Sequence, residues 1–298
     1  MNQQPRYVIP QSIDEALQYL SEPIEHTMLL AGGTDAVVEL RDSKIRPAPN
    51  DDPVTALNRI IDISRIPELK GIKEIGNELE LGALVTHREM AESELIRQYG
   101  SILAEAATQM GSPQVRNRGT LGGNLGTASP AADTAPSLIA LGAKVLLKSL
   151  QGKREIPIED FFLAPGKTVL KSDELILGVR FPKMQSNEQG RYYKLGQRNA
   201  VSISIASVAI KAEIRNTRFG TVRIGLGSVA PKPIRALEAE RSLFNQPFNA
   251  KIIEQAAQSA MTQCMTITDI RASGKYRCQI VEKVTQELLN DITLNPTK

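Results

Sequence analysis

Two glycine-rich turns set the terms on which this chain can fold. The first runs Leu29-Leu30-Ala31-Gly32-Gly33-Thr34-Asp35, and the second Gly119-Thr120-Leu121-Gly122-Gly123-Asn124. Each pairs two glycines with a Thr and an Asp or Asn, beside an apolar or β-prone run. Adjacent glycines have no Cβ to shield the backbone, so an anion such as a pyrophosphate can approach the amides closely. One such turn alone would say little. Two, with different flanks, point to one long ligand gripped at two places, and a dinucleotide meets that demand.

Composition narrows the classes. At 298 residues the chain has length for two domains or one large one, and 41% hydrophobic residues supply a core. Aromatics are 4% and Trp is absent, so that core is built mostly from Leu, Ile, Val and Ala. The formal net charge of +3 is spread through the sequence, which argues against an electrostatic nucleic-acid binder. No apolar run is long enough for a membrane span. Met1-Asn2-Gln3-Gln4-Pro5-Arg6 has no basic-then-apolar leader pattern, so the expectation is a cytoplasmic protein. Cys264 and Cys278 are the only cysteines and read as free structural thiols. An iron–sulfur cluster needs four ligands, mostly Cys, so the chain cannot hold one alone. With His26 and His87 as the only imidazoles, zinc and Ser-His-Asp chemistry are poorly supplied, and no catalytic or metal-ligating set is assigned.

Periodicity predicts a capped helix over Ser12–Leu20, a short strand over Met28–Ala31, and a helix over Ala36–Arg41. Ile45–Asn58, with three prolines, reads as a loop. Strands follow at Ile60–Ile63 and Glu78–Leu84, then helices at Thr86–Ala91 and, as one long element, Leu95–Met110. Gly111–Ala128 shows little periodicity and is expected to be a binding loop without elements of its own. A helix at Ala135–Leu141 and strands at Lys144–Lys148 and Leu175–Phe181 complete this part. Beyond a polar boundary at Pro182–Gly190 come strands Arg191–Leu195, Ser204–Ile214 and Thr221–Val229, then helices Ala236–Leu243, Ala250–Gln263 and Lys275–Asp291. That order predicts an α+β domain with a three-stranded antiparallel sheet.

Four groups of residues can carry binding chemistry, each with a plainer alternative. Gly32-Gly33-Thr34-Asp35, between strand and helix, suits a phosphate at the helix start, or is a tight turn with Asp35 as cap. In the second turn Thr120 can donate its hydroxyl and Asn124 its amide, or the stretch is a surface loop. Asp133 can accept from ribose hydroxyls, or caps the next helix. Lys194 and Arg198 can face a phosphate, an electron-rich ring or a carboxylate, or lie on a solvated strand edge. Gly225-Leu226-Gly227-Ser228-Val229-Ala230 matches a dinucleotide fingerprint in letters only. Pro231 and Pro233 follow at once and forbid the helix that the fingerprint must open.

Taken together, Ala31–Asp35, Gln114–Asn124, Asp133–Pro136, Tyr193–Ser204 and Gly225–Arg235 resemble the FAD-binding medium subunit of the molybdenum hydroxylases, the xanthine dehydrogenase family. The resemblance covers nearly the whole chain. It implies a vanillyl-alcohol-oxidase-like FAD-binding fold of two α+β subdomains, over about residues 1–60 and 61–182, followed by a C-terminal α+β domain at 183–298. It implies non-covalent FAD, with the pyrophosphate held by Leu29–Ala36 (Leu29, Leu30, Ala31, Gly32, Gly33, Thr34, Asp35 and Ala36) and by Thr120, Leu121, Gly122, Gly123 and Asn124. Asp133 would contact the adenosine side, Met110 and Ile176 would line the cofactor, and Lys194 would approach the isoalloxazine. The implied partners are a molybdopterin-binding large subunit and a 2Fe–2S small subunit, with NAD or another acceptor taking the electrons. Relatives with a Cys-rich insertion carry an extra cluster; the insertion here, Lys44–Asn58, has no Cys. The rival readings are a freestanding flavin oxidoreductase of the same fold with its own substrate, and a maturation or scaffold subunit that keeps the fold without flavin, against which the intact Gly pairs argue.

Overall fold

The computed structural model describes residues 5–41, 57–198 and 201–294. The loop and insertion readings at Lys44–Asn58 lie outside the described residues but for the last two positions.

Three short strands, β1 (Arg6–Val8), β2 (Thr27–Leu30) and β3 (Arg59–Asp62), form a parallel sheet in the order β1-β3-β2. The helix Ile13–Ser21 joins β1 to β2. Its start is fixed twice: the Ser12 hydroxyl accepts from the Glu15 amide at 3.2 Å, and the Glu15 carboxylate accepts from the Gln11 amide at 2.7 Å. The first glycine turn leaves β2 and runs into the helix Ala36–Arg41.

The second layer holds β4 (Ile72–Ile75), β5 (Glu78–Gly82), β6 (Lys144–Ser149), β7 (Gly152–Pro157), the small pair β8 (Phe162–Ala164) and β9 (Lys167–Thr168), and β10 (Leu175–Pro182). Five of these form an antiparallel sheet in the order β4-β5-β10-β6-β7. Between β5 and β6 the chain winds through six short helices, which cover this sheet.

Two expectations in that stretch need correction. The long helix predicted over Leu95–Met110 is broken at Gly100 into Glu94–Tyr99 and Ser101–Thr108. Gly100 has φ −157° and ψ 42°, and a Cβ on it would lie 2.9 Å from the buried Phe181 ring. The absent side chain is what admits that ring. The predicted loop Gly111–Ala128 instead forms helices Pro113–Arg118 and Leu121–Thr127. Ser112 caps the first, with Pro113 in its opening turn, and Thr120 caps the second. Low glycine propensity in the second helix is overridden from outside it. Val85 and Ala83 carbonyls accept the amides of Leu121 and Gly122 at 2.9 and 2.8 Å.

The last region is an antiparallel meander of β11 (Glu188–Gly196), β12 (Ser204–Arg215), β13 (Arg218–Gly227) and β14 (Ile234–Arg235). The short β14 adds a fourth strand to the three expected. Helices Leu237–Leu243, Ala250–Thr262 and Gly274–Leu294 pack on one face. The helix Thr134–Leu141 packs on the other, so β12 is buried on both sides and reads as a near-continuous apolar run. Gly225 and Gly227 serve that contact. A Cβ on Gly225 would sit 2.1 Å from the Pro136 carbonyl oxygen, and one on Gly227 would sit 2.7 Å from the Pro136 ring. These glycines are packing residues in a strand, and no helix opens after them.

Candidate functional site

The two glycine turns, distant in sequence, meet. Gly32 packs on the backbone just before the second turn: a Cβ there would lie 2.0 Å from the Arg118 carbonyl oxygen and 3.1 Å from the Gly119 Cα. Across the gap the Thr127 hydroxyl donates to the Asp35 carboxylate at 3.2 Å. Together they wall a cleft of about 430 Å³.

Most of the residues singled out from sequence line it. Leu29, Ala31, Gly32, Gly33, Thr34, Asp35 and Ala36 form one wall. Thr120, Gly122, Gly123 and Asn124 form the other, with Met110 and Ile176 as apolar contributors. Leu30, Leu121, Asp133 and Lys194 do not line it. Leu30 packs beneath Gly33, and Leu121 is wholly buried in the core. Asp133 and Lys194 are turned toward each other. Lys194 Nζ lies 2.6 Å from the Asp133 carboxylate and 3.1 Å from the Gln109 carbonyl, with both side chains more than nine-tenths buried. Burial pushes the Asp133 carboxyl up to about 6, against the opposing pull of the Lys194 charge. Asp133 stands at the N-cap position of its helix but makes no capping bond.

The turns differ in what they offer a ligand. In the first, Gly33 has φ +75°, a conformation that favours glycine, and the amides of Gly32, Gly33, Thr34 and Asp35 reach no protein acceptor among the described residues. In the second, the expected open amides are taken. Leu121 and Gly122 donate to Val85 and Ala83, Gly123 to the Thr120 hydroxyl oxygen at 3.2 Å, and Asn124 to the Thr120 carbonyl at 2.9 Å. Gly122 is there for packing, since its Cβ would lie 2.7 Å from that of Ala83. Gly123 and Gly126 leave their part of this wall without side chains. What remains to donate is the Thr120 hydroxyl proton and the Asn124 amide, whose oxygen already accepts from Thr134 at 2.7 Å.

Sequence reasoning missed Ala83, His87, Gly126, Thr127, Gly166 and Leu175 on the wall. Gly126 had a signal: it lies three residues after Gly123 in one helix, hence on the same face. His87 follows the capping residue Thr86, and its amide donates to the Gly119 carbonyl at 3.0 Å. The residue is 1% exposed, and neither ring nitrogen has a hydrogen-bond partner among the described residues. Burial, helped by the Arg116 charge, pulls its pKa down to about 4. A depressed imidazole pKa makes the folded state lose stability as pH falls from the ordinary 6.5 toward 4, by about 3 kcal/mol at full extent. Unfolding of apoprotein should show it. The stability of His87→Leu relative to wild type should rise steadily over that fall in pH. A pH-independent difference would mean that the ring is not held neutral.

Free amides, a wall partly of glycine and a buried ring lacking partners among the described residues fit an elongated anionic cofactor. Comparisons agree. Residues 2–184 match the family described as the FAD binding domain in molybdopterin dehydrogenase, and residues 191–292 match the CO dehydrogenase flavoprotein C-terminal domain. The chain is 30% identical over 266 residues to the xanthine dehydrogenase FAD-binding subunit of Escherichia coli O157:H7, covering 88% of this chain and 87% of that one. It is 29% identical over 284 residues to the carbon monoxide dehydrogenase medium chain of Hydrogenophaga pseudoflava, covering 95% of each. A solved carbon monoxide dehydrogenase structure from Hydrogenophaga pseudoflava superposes with a TM-score of 0.89 at 30% identity, covering 97% of each chain. The chain therefore belongs to the FAD-binding subunits of the molybdenum hydroxylases, the xanthine and carbon monoxide dehydrogenase type of oxidoreductase.

Proposed function

We propose that this subunit takes electrons from 2Fe–2S clusters of a small partner, through FAD in the cleft, to an acceptor such as NAD. Substrate oxidation belongs to a molybdopterin-binding large subunit. FAD, when bound, supplies the two-electron redox chemistry. The chain's own residues bind and orient it: the free amides of Gly32–Asp35 and the Thr120 hydroxyl hold the diphosphate, Asn124 donates its amide, and Met110 and Ile176 give apolar contact. Leu30 and Leu121 act by packing. The carrying observation is the cleft between the two turns, where the amides of Gly32, Gly33, Thr34 and Asp35 lack protein acceptors among the described residues.

The division of labour is supported by chemistry and by relatives. Two cysteines cannot ligate a cluster that needs four, and burial pushes the Cys264 thiol up to about 12, far from the thiolate a metal requires. A relative in Hydrogenophaga pseudoflava is named a medium chain, and one in Eubacterium barkeri is named the FAD-subunit of nicotinate dehydrogenase. We take residues 1–182 as the FAD domain and 183–298 as the C-terminal domain, which the limits of the matched families support. Within the FAD domain, we take about residues 1–60 and 61–182 as the subdomains, since the sheet β1-β3-β2 lies in the first but for the end of β3, at Ile61–Asp62, and the sheet β4-β5-β10-β6-β7 lies in the second. Free thiols fit a reducing cytoplasm, and no described helix is long and apolar enough to cross a membrane.

The test has two steps. Denaturing the purified chain should release FAD, close to one per chain, with no flavin left on the polypeptide. The holoprotein, reduced anaerobically and mixed with NAD, should then regain its oxidised flavin spectrum. Reoxidation by a quinone but not by NAD would replace the acceptor. Colour retained on the denatured chain would favour a covalent, freestanding flavoenzyme.

A further inference from the structure

The cleft wall contains no Lys or Arg among the described residues; its charged side chains are Asp35 and Glu39. A diphosphate entering it meets amides, hydroxyls and one imidazole. That imidazole, His87, lies where the two turns join. The Gly119 Cα packs on its ring, since a Cβ there would fall 3.1 Å from the His87 Cδ2, and the same Gly119 Cα abuts Gly32. Both ring nitrogens are buried and unpartnered in the described protein. A polar ring in an apolar wall loses its water hydrogen bonds and gains none, so a purely structural role is better filled by leucine.

We infer that His87 is a cofactor contact, giving its ring N–H to the diphosphate of FAD. The inference rests on the reading that FAD occupies the cleft. As a neutral imidazole it carries one donor and one lone pair, so it can bond a phosphate oxygen without first gaining a proton. Burial keeps the ring in that form, helped by the charge of Arg116, whose guanidinium donates to the Met110 and Gly111 carbonyls at 2.9 and 3.2 Å.

The experiment titrates full-length apoprotein with FAD and, separately, with ADP, which carries the diphosphate but no flavin. Wild type, His87→Leu and His87→Gln are compared, and the unfolding midpoint of each apoprotein is recorded. Losing a hydrogen bond to a charged group should weaken His87→Leu for both ligands by about tenfold to a hundredfold. Its apoprotein midpoint at neutral pH should not fall below wild type, and Gln, which keeps a donor, should recover part of the affinity. FAD affinity within twofold of wild type in His87→Leu would overturn the inference. So would a clear drop in apoprotein stability in both variants, which marks a packing role. Weakening for FAD with none for ADP would move the contact off the diphosphate. Wild type that binds neither ligand would overturn the placement of FAD in the cleft instead, a different failure.

Discussion

Gly32→Ala should abolish FAD retention and destabilise the apoprotein by about 1–3 kcal/mol or more, the range for overpacking a well-packed site. The new Cβ would meet the Arg118 carbonyl oxygen at 2.0 Å and its carbon at 2.8 Å. Both are backbone atoms, so no rotamer change relieves the clash. Relief requires moving Arg118–Gly119, and with them the Gly119 carbonyl that accepts the His87 amide and the Thr120 cap of the next helix. One methyl group therefore displaces both walls of the cleft. Gly126→Ala is the internal control. Its Cβ would have only the Ile176 Cδ1 nearby, at 3.9 Å, and Ala is the better helix former by about 0.5–1 kcal/mol. That variant should hold or gain apoprotein stability while its methyl group intrudes on the cleft and lowers FAD affinity. Denaturant unfolding of apoproteins with FAD titration separates the two. An unchanged midpoint in Gly32→Ala would mean that the turns do not pack as described.

What could be read from sequence was local. Ser12 with Glu15 marked a helix start, and the apolar run before Gly32-Gly33 marked a strand entering a turn; both elements stand within a residue of where periodicity put them. The rejection of the Gly225–Ala230 fingerprint also needed only neighbours, because Pro231 and Pro233 are adjacent. What failed was non-local. Helix Leu121–Thr127 exists because carbonyls nearly forty positions earlier accept its first amides, which no propensity in Leu-Gly-Gly-Asn-Leu-Gly-Thr announces. The break at Gly100 depends on a ring at Phe181. Strand β4 is largely exposed, so Ile72–Ile75 gave no buried alternation to detect. At the site, the glycine pairs were legible as glycines but not in their division of labour. One turn presents amides, whereas the other presents a surface partly of glycine whose amides are already used. His87 was visible only as one of two imidazoles, since its significance lies in having no partner.

Breaking the Lys194–Asp133 pair should give the largest stability loss short of a misfolded chain, because it strands a charge between two parts of the molecule. Lys194 lies on β11 and Asp133 opens the helix that packs against β12 and β13. Removing one member of a buried pair costs about 3–5 kcal/mol, whereas replacing both with apolar side chains is often neutral. Lys194→Met should therefore be strongly destabilised, and the double variant Asp133→Leu with Lys194→Met should return close to wild type. The pH dependence carries a sign. Without the lysine, the Asp133 pKa in the folded protein rises beyond the value of about 6 that it has with its partner, while the unfolded value stays near 3.8. The folded variant then binds more protons than the unfolded one over that window. Its stability falls as pH rises through it, as that of wild type does up to about 6, so the deficit of Lys194→Met against wild type should be small below about pH 6 and grow as pH rises above it. Flavin content decides between this structural role and the cofactor contacts that the family resemblance suggested for both residues. A buried pair that does not line the cleft predicts FAD affinity within about threefold of wild type in the double variant, by the scatter expected for distant sites. A double variant of normal stability that has lost FAD would instead put Asp133 and Lys194 in contact with the cofactor, and would require the helix Thr134–Leu141 to shift when FAD binds.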